Sequence, residues 1–138
     1  MKEKIKEIVE AMGFTFFEGD IYNVNQSLKK FKQFPAVLYI SPISGGGEIT
    51  MAGMVKKRIE PLLMFVGHDK LDPDGAETNT VIERMRQAAE TFVLKLNESR
   101  EFEPIASWTA RDIIKDMNYG CSGVSLQLTI TESRGVCK

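Results

Sequence analysis

Apolar residues at helical spacing open the chain. Ile5, Ile8, Val9 and Met12 fall at i, i+3, i+4 and i+7, so they share one face while Lys and Glu fill the other. Gly13 supplies a C-terminal stop. Phe14 to Phe17 reads as a short extended piece, followed by an irregular polar stretch to about Lys32. The pattern then changes. Pro35-Ala36-Val37-Leu38-Tyr39-Ile40 is apolar at both parities, as is Pro61-Leu62-Leu63-Met64-Phe65-Val66. Strands buried on both faces have that pattern, and Pro is tolerated at a strand's first position. These two runs are the expected centre of a sheet. Between them, Ser44-Gly45-Gly46-Gly47 is expected to reverse the chain as a flexible hairpin tip, with Ile49 to Val55 returning as a strand.

A longer helical stripe follows. Val81, Met85, Ala88, Ala89, Phe92, Val93 and Leu96 line up to about Asn97. Two capping boxes compete for its start, one at Asp74 to Glu77 and one at Thr80 to Glu83. Arg86 and Glu90, four apart and off the stripe, are placed to pair. Phe102 to Ile105 suggests a short strand, Trp108 to Met117 is mixed in parity, and Asn118 to Gly123 reads as a turn cluster. The closing pattern is the cleanest in the chain. Val124, Leu126, Leu128 and Ile130 alternate with Ser125, Gln127, Thr129 and Thr131, which means one face on the core and one wet. Helix, strands, helix, strands in that order predicts one α+β domain over residues 1–138, its mostly antiparallel sheet packed by one long central helix and by the N-terminal amphipathic helix.

Composition narrows the partners. With 43% hydrophobic and 27% charged residues, 138 residues bury an ordinary core without cross-links or metals. The 18 basic and 19 acidic residues are spread along the chain, which argues against sequence-specific nucleic acid as the main partner. Lys29, Lys30 and Lys32, interleaved with Phe31 and Phe34, read as a solvated turn or short helix. The N-terminus alternates charges instead of carrying a signal peptide's apolar core, and no apolar run reaches the ~18 residues that span a bilayer. A cytoplasmic protein with no membrane partner is expected. Cys121 and Cys137 show no metal or redox spacing, so free thiols are the plain expectation.

The candidates for chemistry are weak. His68 is the only histidine, and no G-x-S-x-G accompanies it. Asp69, Asp72, Asp74 and Glu77 suggest calcium, but aligning Gly75 to the sixth position of an EF-hand loop puts Lys70 first and Val81 twelfth. A turn whose charge favours the following helix N-terminus is the simpler reading. The triple glycine is followed by Glu48 and a strand-like run, not by the Lys-Ser/Thr and helix of a phosphate loop. Carboxylates at Glu18 and Asp20, and at Glu101 and Glu103, are no closer than chance allows among 19 acids. No catalytic residue, cofactor site or metal site is therefore assigned. Candidate interface residues are Gly45, Gly46 and Gly47 in the loop, Trp108 and Tyr119 as aromatic anchors, and Ser125, Gln127 and Thr129 on the wet, uncharged strand face.

Several stretches together carry a resemblance: the N-terminal helix, Phe34-Pro35-Ala36-Val37, Leu62 to Val66 and the acidic turn Lys70 to Glu77. To these are added the helix with Met85, Phe92 and Leu96-Asn97, and Gly123 to Leu128. The arrangement resembles phage tail terminator, or tail-completion, proteins, particularly small prophage versions. It covers most of the chain as a pattern of elements without a signature motif. The resemblance implies a structural subunit that assembles with itself into a ring, commonly a hexamer. Such a ring caps the tail tube and contacts neck proteins, first in the bacterial host cytoplasm and then in the virion. It brings no catalytic residues. Two other classes stand beside it: a small-molecule or peptide-binding α+β module without catalysis, and an enzyme working through a loop carboxylate and His68.

Overall fold

The computed structural model describes residues 2–20, 35–68, 76–116, 121–132 and 136–137. In chain order the elements are α1 (Lys2–Ala11), β1 (Thr15–Asp20), β2 (Ala36–Ile49), β3 (Met54–His68) and α2 (Ala76–Ser99). They are followed by β4 (Thr109–Asp116), β5 (Cys121–Gln127), β6 (Ile130–Thr131) and β7 (Val136–Cys137). Among the described residues the strands form one seven-stranded mixed sheet in the order β1-β2-β3-β5-β4, with β6 and β7 also paired to β3. All pairings are antiparallel except β1 with β2. The expected α+β class with a mostly antiparallel sheet is the one observed.

Both helices pack on the same side of that sheet, joining its side chains in one core cluster. Ile5, Ile8 and Val9 of α1 and the α2 stripe of Val81, Met85, Ala89, Phe92, Val93 and Leu96 are buried against Val37, Leu63, Phe65, Val124 and Leu126. Ile82 joins the stripe, and Ala88 sits at its margin, half-buried. The long helix thus packs across one face of the sheet. Phe65 ties the layers together, meeting Phe92 edge-on at 5.7 Å and Phe14 at 6.1 Å. Gly13 ends α1 with a φ of 83°, and the Phe14 amide donates back to the Val9 carbonyl at 3.2 Å. The other parity of the two apolar runs supplies a second cluster on the opposite face: Ala36, Leu38, Ile40 and Val66, all buried. Burial on both faces is what their sequence pattern called for. Among the described residues no helix is long and apolar enough to cross a membrane.

Several expectations are corrected. Gly45 to Gly47 are not a hairpin tip: they lie within β2, paired to Ile59, Arg58 and Lys57. The chain reverses later, at Thr50 to Gly53. There the Gly53 amide donates to the Thr50 carbonyl at 2.9 Å, Thr50 Oγ1 accepts from the Met54 amide, and Gly53 takes a φ of 79°. Pro61 does not begin a strand but lies within β3, where the pairing to both neighbours is interrupted. Ile40 pairs Leu62 and Ser44 pairs Glu60, so segment 41–43 stands opposite Pro61 in a bulge. On the other side β5 ends at Gln127 opposite Leu62, and β6 resumes at Ile130 opposite Ile59. Proline's missing donor falls where both ladders are already broken. Phe102 makes only a bridge to Glu132, not a strand.

Cys121 to Gly123 belong to β5, not to a turn. A Cβ on Gly123 would run into the Phe65 carbonyl, so this strand crossing needs glycine. His68 closes β3, its backbone paired with Cys121. Arg86 binds Asp112 on β4 in place of the expected partner Glu90. Helix α2 starts at Ala76, at the earlier of the two capping boxes. The Lys29–Lys32 stretch, the acidic residues Asp69 to Asp74 and Tyr119 lie outside the described residues.

Candidate interaction surfaces

Breaking the sheet at Pro61 creates two local environments. Beyond the break, β2 from Ser44 to Ile49 and β3 from Met54 to Glu60 continue as an arm, with β6 and β7 beside β3. Every residue from Gly45 to Ile49 is exposed. The glycines let the two strands approach closely. A Cβ on Gly47 would stand 2.7 Å from the Lys56 carbonyl oxygen, and one on Gly46 would stand 3.1 Å from an Arg58 guanidinium nitrogen. Flatness, not flexibility, is what they provide.

Charge is organised along this arm. Lys56 binds Glu103 and lies 3.8 Å from Glu48. The hydrogen bond to Glu103 raises the Lys56 ammonium above the ordinary lysine value, against the opposing effect of burial and with help from the charges of Glu103 and Glu48. The Lys57 amide donates to a Glu132 carboxylate oxygen at 2.8 Å. These pairs fasten the arm to the 101–103 segment and to the end of the sheet. The tip itself is apolar: Ile49 is 76% exposed and Met51 fully so.

The gap between β5 and β6 opens a cleft of about 400 Å³ lined by Glu60, Trp108, Thr109, Gln127, Leu128 and Thr129, with Ser107 at its edge. Here three predicted residues meet. Trp108 is 40% exposed, and Gln127 and Thr129 face solvent. Ser125 sits two residues along the same face of β5, half-buried. Gly45 does not line it, pairing with Ile59 one residue beyond Glu60. The alternation of β5 made Gln127 and Thr129 legible, but their convergence with Glu60 and Trp108 depends on strand pairing that leaves no local trace.

A second cleft of about 520 Å³ lies at the other end of β3 and is largely apolar. Met12, Phe14, Gly67, Met85 and Ala88 line it, while Arg84 and Lys95 supply the charge. Sequence reasoning missed it because its residues come from β3, α2 and two connecting segments far apart in the chain. The exposed Ile49 and Met51 were missed too, being absorbed into an expected strand.

Other polar groups are accounted for within the fold. Tyr39 is 4% exposed, and burial, reinforced by Glu18 and Glu3, pushes its phenol above the ordinary value of 10.0. Asn97 at the end of α2 donates to the Ile105 carbonyl at 3.2 Å and accepts from the Ile105 amide at 2.8 Å. Among the described residues no group of three or more His, Cys, Asp or Glu is placed to hold a metal. No protein-family model matches the chain, and no curated protein matches it.

Proposed function

We propose that this protein is a structural, non-catalytic subunit of a phage-type tail or neck, assembling with itself into a ring that caps the tail tube. The resemblance of its elements to tail terminator proteins motivates the reading. The observation that carries it is the β2–β3 arm, which extends past the Pro61 break and ends in exposed Ile49 and Met51. Soluble chains rarely aim adjacent large apolar side chains outward on a projecting hairpin unless a partner covers them. The open cleft at Trp108, Gln127 and Thr129 adds hydroxyls, an amide and the Glu60 carboxylate beside an aromatic anchor, a mixed surface that a neighbour bringing a partner for Glu60 could cover.

Light scattering over a concentration series, with negative-stain imaging of the largest species, tests the reading. A closed ring of uniform subunit number is expected. A chain that stays monomeric both alone and when mixed with tail tubes would overturn it.

The apolar cleft favours a second reading, a small-molecule or peptide-binding module, since its size and lining suit a compact ligand. A fragment screen read by thermal unfolding tests that reading. Stabilisation that vanishes on Thr91→Arg, at the cleft wall, is the outcome it expects.

A further inference from the structure

A sheet is open wherever a strand has a neighbour on one side only, and proteins blunt such edges with charge, proline, irregular pairing or brevity. Apart from the two-residue strands β6 and β7, the described sheet is open at β4, at β1 and along the outer side of the arm. The β4 edge carries Arg111 and Asp112 and an irregularity in pairing between Ile113 and Asp116. The β1 edge is six residues long and ends in Glu18-Gly19-Asp20. The arm is different. β1 stops at Asp20, opposite Ser41, so among the described residues β2 pairs only with β3 from Ser44 to Ile49. That stretch has no proline and one charge, Glu48, which lies 3.8 Å from Lys56 of the paired strand. Every residue from Gly45 to Ile49 is exposed. At its apex, Thr50 to Gly53, the chain turns towards β3 and away from this edge.

The sequence along the open edge is nearly symmetric: Ile43-Ser44-Gly45-Gly46-Gly47-Glu48-Ile49 runs from isoleucine through a polar residue and three glycines to a polar residue and isoleucine in either direction. We propose that two copies pair their arms along this edge, antiparallel and two-fold about Gly46. In that register Gly46 meets Gly46, Gly45 meets Gly47, Ser44 meets Glu48 and Ile43 meets Ile49. The symmetry selects a second copy as the occupant, since a two-fold contact requires each residue's complement to lie on the same segment. Opposed β-branched residues, and a hydroxyl opposite a carboxylate, are favourable cross-strand pairs. Like charges are not opposed. The two Glu48 residues stand roughly 13 Å apart along the seam at ~3.3 Å per residue, beyond a screening length of about 8 Å. The glycines offer backbone without side chains, so main-chain hydrogen bonds form the seam. Ile49, 76% exposed, gains a cross-strand neighbour. A two-fold contact closes at two copies, so it neither builds nor requires the ring.

Hydrogen exchange of the wild-type chain over a concentration series tests the contact. Once the protein is concentrated, the amides of 44–48 that do not bond β3 are expected to exchange at least about tenfold more slowly than free-peptide amides. Disulfide trapping in a Cys121→Ser, Cys137→Ser background checks the register. Gly46→Cys is expected to oxidise to a covalent dimer at least about tenfold faster than Ile49→Cys. The Gly46 positions adjoin within disulfide reach, whereas the Ile49 positions stand roughly 20 Å apart. A Cβ at Gly46 meets only the end of the Arg58 side chain, so this variant is expected to keep the wild-type circular dichroism spectrum. Exchange of those amides at the free-peptide rate at every concentration, or equal trapping rates for Gly46→Cys and Ile49→Cys, would each overturn the contact. A closed ring whose 44–48 amides are unprotected removes this contact and leaves the ring reading standing. A dimer protected at 44–48 that grows no larger leaves the contact standing without the ring.

Discussion

Asn97 shows how much one side chain settles. Its amide pairs with both backbone groups of Ile105, imitating a strand neighbour where the chain leaves α2 and has no strand to join. The segment from Glu101 to Trp108 is also attached through the Glu103–Lys56 and Glu101–Lys4 pairs, the Glu103 amide donating to the Thr131 carbonyl, the Phe102–Glu132 bridge and the burial of Phe102 and Ile105. Asn97→Ala is expected to cost about 1–3 kcal/mol, the worth of two net hydrogen bonds, read as a lower urea midpoint. Tyr39 offers a pH handle. Its folded-state phenol titrates above the unfolded one, so the unfolded chain loses this proton first as pH rises past 10.0. The folded state therefore keeps its full Tyr39 contribution below that pH and loses it progressively up to the folded value. Tyr39→Phe is expected to flatten the alkaline fall in melting temperature relative to wild type.

At the scale of elements, burial was legible where periodicity repeats. The alternation of Val124, Leu126, Leu128 and Ile130, the α2 stripe and the two apolar runs all reported their own faces, and Phe92 sits at the centre of that agreement. Phe92→Ala is expected to cost about 3–5 kcal/mol by calorimetry, because its ring is wholly buried against Phe65. Glycine and proline misled because each has two uses. Gly45 to Gly47 suggested a turn yet serve close strand approach, while the turn belongs to Gly53, one unremarkable glycine with a left-handed backbone. Pro61 suggested a beginning yet marks an interruption. The parallel pairing of β1 with β2 had no local signature at all, since partner choice between distant segments is set by the whole sheet. Gly47→Val separates the two uses of glycine. It is expected to cost about 1–3 kcal/mol locally, speeding amide exchange in the arm while the protected core amides of β3 and β5 change little.

For the whole molecule, the candidate surfaces lie where regular pairing stops. The cleft at Trp108, Gln127 and Thr129 opens at the Pro61 break, the exposed tip of the arm lies beyond it, and the apolar cleft lies between the end of β3, α2 and the segment that follows α1. Trp108, Gln127 and Thr129 could be picked from the chain, but their gathering, like the apolar cleft and the exposed tip, required the pairing of segments far apart in sequence.

The Pro61 break also insulates length from face. In an unbroken ladder, losing one residue turns every side chain beyond it to the wrong side of the sheet. Here the pairing restarts on each side of Pro61, so the core stretch Leu62 to Val66 takes its frame from Ala36 to Ile40 and from β5, independently of the arm. Removing two residues from each arm strand would draw the apex inward by roughly 7 Å and leave the core's frame untouched. A lineage carrying this fold could thus adjust its reach in steps, to suit a wider or narrower neighbour, without redesigning its interior.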